Sequence, residues 1–375
     1  MTVPNESTRL LNSNYKSMGS TTPAAPFASA LTISSQIAAE QAADGTTTNG
    51  DGSAAATSEA SSIRLPQAIA HRGYKAAFPE NSLAAFRSAV EIGAHAIETD
   101  LHLSRDGVVV LSHDASLKRC FGIDKKVADC DWSYLSTLLT LREPKQSLPR
   151  LIDLLEYLAK PDAEHMWLLL DVKTHDDANQ ILAGIAKAIA SVPSKRPWTD
   201  RIMVGCWDAN YVRLSLKHLS GFPLAYIGAD LGYASALLHA VPHMNFNLLQ
   251  TVVAGPCGRR FLLKARRHGR AVFVWTVNTV GWMEWDIRHE LDGVVTDDPK
   301  LYLEVCDRWK DQPNGQSSGP VERKKVEQRA KRYALWTPRM IFEMSLLTLL
   351  VVIFLIFLRL RYGMPKKRVE KSLSG

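Results

Sequence analysis

The chain has 375 residues, 46% of them hydrophobic and 22% charged, enough for one large α/β domain or two smaller ones. Its net charge of +7 is unevenly placed: residues 321–375 hold 13 Lys and Arg against 4 Asp and Glu, which leaves the preceding 320 residues at about −2 and excludes a broad nucleic-acid-binding surface, since that needs a basic domain rather than a basic tail. The cysteines (Cys120, Cys130, Cys206, Cys257, Cys306) are odd in number and lack Cys-x-x-Cys spacing, so no disulfide framework or zinc site follows and a reducing compartment is expected.

Residues 1–62 are rich in Ser, Thr, Ala, Asn and Gly and cannot bury enough apolar surface to offset the entropy of ordering, so they are expected to be disordered. No apolar run follows the N-terminus, which argues against a cleaved secretory signal. From residue 63 to 306 short apolar runs alternate with amphipathic stretches. Strands are expected at 68–70, 96–101, 108–111, 167–172, 202–205, 224–227, 246–249, 272–277 and 293–295, with helices between them at 82–92, 151–158, 178–190 and 258–268. Asp106-Gly107 predicts a tight turn between two of the strands. Repeated β-α alternation implies a parallel sheet, and eight or nine such strands suit a (β/α)8 TIM barrel of roughly 250 residues. An open doubly wound sheet is the alternative, but no Gly-x-Gly-x-x-Gly loop follows the first strand.

Residues 307–340 read as a linker that becomes strongly basic, and 341–358 as an apolar run with one charge, Glu343, near its edge. As a helix those 18 residues reach roughly 27 Å, slightly short of a ~30 Å hydrocarbon core. We expect a transmembrane or membrane-anchoring helix, spanning or lying in one leaflet, followed by a basic tail over 359–375. Basic residues on both sides leave orientation open but favour an anionic membrane surface. The short span favours a thin bilayer, with the endoplasmic reticulum, mitochondrial outer membrane or a lipid droplet as sites and the preceding domain in the cytosol. No protein partner can be inferred.

The chemistry-bearing residues cluster at strand ends. His71 and Arg72 close the first strand, Glu98 and Asp100 point to one face of the second at i and i+2, His113 follows the third, and Asp171 and Lys173 end the fourth. Buried charges at such positions are costly unless paired. Carboxylates facing one another need a cation between them, and oxygen ligands indicate Mg2+ or Ca2+. Carboxylates for a metal, histidines to move protons and cations for a phosphate oxygen suit metal-assisted cleavage of a phosphodiester. The contrary reading of Glu98 and Asp100 is a salt-bridged surface strand. His95 and His102 lack comparable support.

The order of His-Arg-Gly with Pro-Glu-Asn (71–73, 79–81), Glu-Thr-Asp (98–100), Asp-Gly-Val-Val-Val-Leu-Ser-His-Asp (106–114), Leu-Pro-Arg-Leu (148–151), Asp-Val-Lys (171–173), Val-Trp-Thr-Val-Asn (274–278) and Gly-Val-Val-Thr-Asp-Asp-Pro (293–299) resembles the glycerophosphodiester phosphodiesterase family. With the C-terminal apolar run, the chain is similar to the fungal membrane-anchored, phosphatidylglycerol-specific phospholipase C branch of that family. The resemblance implies a TIM barrel and a glycerophospholipid substrate, phosphatidylglycerol above all, cleaved to diacylglycerol and glycerol phosphate. Other members of the family release glycerol 3-phosphate from deacylated phospholipids or act as lysophospholipases D. It further implies His71 and His113 as the acid/base pair, Glu98, Asp100 and Asp171 as metal ligands, and Arg72 and Lys173 on the phosphate. Trp275 and Asn278 are expected to line the pocket, with core packing the alternative for Trp275; Asp297 is expected to orient a histidine or contact glycerol. One departure is Asp171, where the family usually carries Glu. It is the sole support for a non-catalytic lipid-binding scaffold.

Overall fold

A computed structural model describes residues 64–255, 257–310 and 363–374, with isolated positions between 349 and 361. The expected N-terminal tail, most of the linker and most of the expected anchor lie outside the described residues. Among the described residues no helix is long and apolar enough to cross a membrane.

The strands are β1 (Gln67–His71), β2 (Ala96–Leu103), β3 (Val109–Leu111), β4 (Trp167–Val172), β5 (Ile202–Cys206), β6 (Leu224–Gly228), β7 (Asn245–Leu249), β8 (Val272–Trp275) and β9 (Gly293–Thr296). They run in the order β1-β9-β8-β7-β6-β5-β4-β2-β3, and a β1–β2 pairing closes the ring. Eight strands are thus parallel and form the expected barrel, while β3 pairs antiparallel with β2 outside it. The turn between them is where Asp-Gly places it, with Gly107 at φ +81°. β8 stops at Trp275, two residues earlier than its sequence suggests.

Strand alternation divides the side chains. Ile69, Ala96, Leu169, Met203, Phe273 and Val295 fill the barrel interior, whereas Ala68, Ala70, Ile97, Leu168 and Leu170 pack in the cluster shared with the helices. Continuing the interior parity toward the C-terminal strand ends reaches His71, Glu98, Asp100, Asp171 and Lys173, which is the end where barrels carry their chemistry.

Around the strands lie α1 (Leu83–Glu91), α2 (Leu151–Leu158), α3 (Ala178–Ser191), α4 (Ala209–His218), α5 (Leu231–Ala240), α6 (Gly258–Arg267), α7 (Val280–Arg288) and α8 (Pro299–Lys310). Five start on a side-chain cap: Ser82, Asp177, Asp208, Asp230 and Asp298 each accept a backbone N–H of the first turn, typically worth about 1 kcal/mol apiece. α8 extends to Lys310, four residues into the stretch read as linker, because Trp309 still packs against the barrel core. Between β3 and α2 the chain makes an excursion with its own small core of Val110, Leu117, Val127, Leu135 and Leu148, and this excursion carries His113. A further helix, α9 (Pro365–Ser374), lies within the expected basic tail and packs on α4 and α5.

At the opposite end of the barrel, Arg201 precedes β5 with no exposed surface. Its guanidinium donates to the carbonyls of Met166, Leu158 and Ala163 at 3.0, 2.8 and 3.0 Å. Met166 and Leu158 offer a loop and a helix-end carbonyl, while the Ala163 carbonyl also accepts the Met166 backbone N–H at 3.1 Å, so the guanidinium is its second donor.

Candidate active site

Glu98 and Asp100 from β2 meet Asp171 from β4 because the parallel register places Asp100 directly beside Asp171. Ligand oxygens of the three lie within 4.8 Å of one another, and all three side chains are buried. The cations expected nearby are there. Lys173 Nζ is 2.7 Å from Asp100 Oδ1 and 2.6 Å from Asp171 Oδ2. Arg72 Nε lies 3.1 Å from Asp100 Oδ2, and the Arg72 backbone N–H donates to Glu98 Oε2 at 3.0 Å.

Arg72 reaches this position from a left-handed backbone (φ +57°) beside Gly73 (φ +77°). At Gly73 only glycine fits, since an added Cβ would stand 2.7 Å from the Ala85 carbonyl carbon. Three buried carboxylates with two cations leave one negative charge uncompensated. It shows at Glu98: burial, then Asp100 and Asp171, push its carboxyl well above the usual range. Burial also raises Asp171. Asp100 runs the other way, held low by Lys173 and Arg72 against the effect of burial. Hard oxygen donors with surplus negative charge fit a divalent cation.

The triad is held from behind. Asn81 donates Nδ2–H to Asp100 Oδ2 at 2.9 Å while its Oδ1 accepts from Thr99 Oγ1 at 2.8 Å. Trp207, following β5, donates its indole N–H to Asp171 Oδ1 at 2.6 Å.

Each of the two expected histidines has a carboxylate on Nδ1, which directs Nε2 to the remaining side of the ring. His71 Nδ1 is 2.5 Å from Asp297 Oδ1, and its Nε2 lies 4.0 Å from Glu98 Oε2. Asp297 is in turn fixed by Lys75 at 3.3 Å and by Asn278 Nδ2 at 2.9 Å. His113 Nδ1 is 2.7 Å from Asp114 Oδ1. Asp114 accepts from Arg119 at 2.6 Å, Arg119 donates to Glu80, and Glu80 accepts from Arg72 at 2.9 Å. Alternating charges thereby run from His113 back to Asp100. Buried His102 contacts Asp176 through Nδ1 at 2.7 Å and the His113 carbonyl through Nε2 at 3.2 Å.

Burial lowers the pKa of His71 below its ordinary 6.5, with Arg72 acting in the same direction and Asp297 opposing, so its imidazole is neutral at pH 7. Asp297 and Asp114 both fall to about 2: burial opposes this, but His71 and Lys75 outweigh it at Asp297, as Arg119 and His113 do at Asp114.

Trp275 stands edge-on to Trp207 with ring centres 5.9 Å apart, and donates its N–H to the Asn247 carbonyl at 3.1 Å. The Lys173 ammonium lies 5.6 Å from the Trp207 ring centre. These rings form an aromatic wall beside the acidic triad. Asn278 sits beside Asp297, with both ends of its amide engaged by Asp297 and Thr296. The structure therefore gathers His71, Arg72, Glu98, Asp100, His113, Asp171, Lys173 and Asp297 around one site, with Trp275 at its wall. Sequence reasoning assigned no role to Glu80, Asn81 or Asp114, although all three fall within the motifs it singled out. Arg119, Lys75 and Trp207 carry no local signal.

A sequence model of the glycerophosphoryl diester phosphodiesterase family matches residues 71–301. The chain is 25% identical over 248 residues to a glycerophosphodiester phosphodiesterase of Caldanaerobacter subterraneus, covering 63% of this chain and 96% of that one. A shorter stretch of 75 residues is 43% identical to a lysophospholipase D of Rattus norvegicus, covering 20% of this chain and 24% of the relative. In fold it resembles a phosphodiesterase of Oleispira antarctica solved with the product sn-glycerol-3-phosphate, with a TM-score of 0.55 at 21% identity over 65% of this chain and 97% of that one. A closed parallel barrel with a buried acidic triad, matched along nearly its whole length by the family's sequence pattern, makes this chain a member of the glycerophosphoryl diester phosphodiesterase family, hydrolases of phosphodiester bonds that bind a divalent metal.

Proposed function

We propose that the chain hydrolyses a glycerophospholipid at a membrane surface, with phosphatidylglycerol as substrate and diacylglycerol and glycerol phosphate as products. The observation that carries the chemistry is the pair of carboxylate-backed imidazoles, His71 on Asp297 and His113 on Asp114, beside one acidic triad. Glu98, Asp100 and Asp171 would hold Mg2+ or Ca2+, which supplies charge neutralisation at the phosphate when bound.

The rest is done by side chains. Arg72 and Lys173 bind the phosphate oxygens. Neutral His71 takes the proton of the attacking glycerol hydroxyl at Nε2, its Nδ1 being committed to Asp297. His113 gives its Nε2 proton to the leaving oxygen. Water then opens the cyclic glycerol phosphate with the two roles exchanged. The aromatic wall of Trp207 and Trp275 flanks the glycerol.

The lipid reading is supported by the apolar run 341–358 and its basic flanks, which would tether the barrel among headgroups at high effective concentration. We place the protein on this basis at the endoplasmic reticulum, mitochondrial outer membrane or lipid droplet, with the barrel in the cytosol. A second reading, cleavage on the headgroup side, is favoured by the 43% identity to a lysophospholipase D over 75 residues.

Purified full chain with Mg2+ or Ca2+ is to be incubated with phosphatidylglycerol, a lysophospholipid and a soluble glycerophosphodiester, and the products identified by mass. Diacylglycerol with glycerol phosphate supports the first reading and a released headgroup the second. Turnover of the soluble diester alone overturns both lipid readings. Full activity in His71→Ala and His113→Ala would refute the roles given to the histidines.

A further inference from the structure

The chain leaves the barrel at the end of α8 and returns to it. α9 lies on α4 and α5 and buries Pro365, Val369 and Leu373, a single helical face at i, i+4 and i+8. Val369 is 1% exposed and belongs to the continuous core of the barrel. The Arg368 guanidinium lies 5.2 Å from the centre of the Tyr233 ring. The outward face of α9 carries Lys366, Lys367 and Lys371.

Ahead of α9, the described residues Leu349, Ile353, Ile356, Phe357 and Leu360 are between 50% and 84% exposed, in a stretch whose sequence is apolar at nearly every position. Arg359 and Arg361 stand at its end and are exposed as well. An exposed apolar run followed by basic residues matches an anionic bilayer, where arginines and lysines meet headgroups and apolar side chains meet acyl chains. A second copy of the chain packed in parallel would instead set these basic residues against their own copies.

We propose that α9 is a clamp that brings the C-terminus back to the barrel, so that the apolar run 341–358 enters an anionic membrane and leaves it on the same face. The proposal rests on the reading of 341–358 as a membrane segment made above. Its reason is topological. Lys310 and Pro365 belong to one packed body, whereas a single crossing would put α9 and the barrel on opposite sides and strip Val369 and Leu373 from the core.

The test uses the full chain with an epitope after Gly375, reconstituted on sealed vesicles of phosphatidylcholine and phosphatidylserine. The expected result is flotation with the vesicles and loss of both barrel and epitope to protease added outside. Flotation with a protected epitope overturns the clamp while leaving the membrane reading intact. Absence of flotation, or burial of the apolar run in a soluble dimer, overturns the membrane reading and the clamp with it. In a second measurement, Val369→Asp with Leu373→Asp should speed protease removal of the epitope at least several-fold while hydrolysis of a soluble diester is retained. An unchanged rate in that active variant would show that α9 is not seated on the barrel.

Discussion

Trp207→Phe tests how the shortened carboxylate at 171 is made to serve as a ligand. The Trp207 indole N–H holds Asp171 Oδ1 at 2.6 Å, and Lys173 takes Oδ2 at 2.6 Å. Both oxygens are therefore oriented. A hydrogen bond to a charged group contributes about 1.5–3 kcal/mol, and removing such a partner behind a metal ligand typically lowers metal affinity about 10–100-fold, or about 1.4–2.7 kcal/mol. The two ranges overlap, so the loss of one bond suffices to account for the whole effect. Proton competition adds to it in the same direction: burial already raises the Asp171 pKa, the Trp207 bond opposes that rise, and phenylalanine cannot. Phenylalanine also loses packing against Trp275. That cost registers in the melting temperature with chelator present, whereas the ligand effect registers in calorimetric titration with Mg2+ or Ca2+. Metal affinity within about twofold of the parent, at whatever melting temperature, would show that Trp207 is only part of the wall.

Glu98→Gln should abolish tight metal binding yet stabilise the metal-free protein at neutral pH. The folded-state pKa of Glu98 is raised well above 4.5 by burial and by Asp100 and Asp171. Its contribution to stability is therefore full below the unfolded value and lost as pH rises through the folded one. Gln removes that loss, and each kcal/mol relieved is worth about 2–4 °C in thermal unfolding; a lower Tm at pH 7 and an unchanged one at pH 4 would contradict the charge argument. Asp297→Asn should reduce kcat about 100-fold or more and move the acid limb of the kcat/KM profile to lower pH, because Asp297 raises the His71 pKa against burial; a limb moving upward would contradict the His71 assignment. Arg201→Met removes the guanidinium from the Met166 and Leu158 carbonyls and one of two donors from Ala163, and should cost about 2 kcal/mol or more in chemical denaturation. Metal affinity should be unchanged, since Arg201 lies at the opposite end of the barrel.

The barrel was legible because its strands are short apolar runs set between amphipathic stretches, and because His71, Glu98, Asp100, Asp171 and Lys173 fall toward the same end of those runs. The triad was legible for the same reason: i and i+2 put Glu98 and Asp100 on one face, and only the Asp100–Asp171 register had to be supplied by folding. The pairing of His71 with Asp297 spans 226 residues, so sequence could offer Asp297 two roles but not choose between them. The excursion from β3 to α2 escaped notice because its core is assembled from isolated apolar residues with no sustained period.

α9 was hidden by its charges. Lys366, Lys367, Arg368 and Lys371 dominate the composition of a segment whose Pro365, Val369 and Leu373 nevertheless repeat at helical spacing. Asp171 carries the more general point. Taken alone it weakened the reading of a catalytic site, since a carboxylate one methylene short reaches less far into the barrel. With Trp207 behind one oxygen and Lys173 on the other, the shorter side chain is held in place instead of relying on its reach. The side chain that fixes it, Trp207, lies 36 residues away on the neighbouring strand's loop.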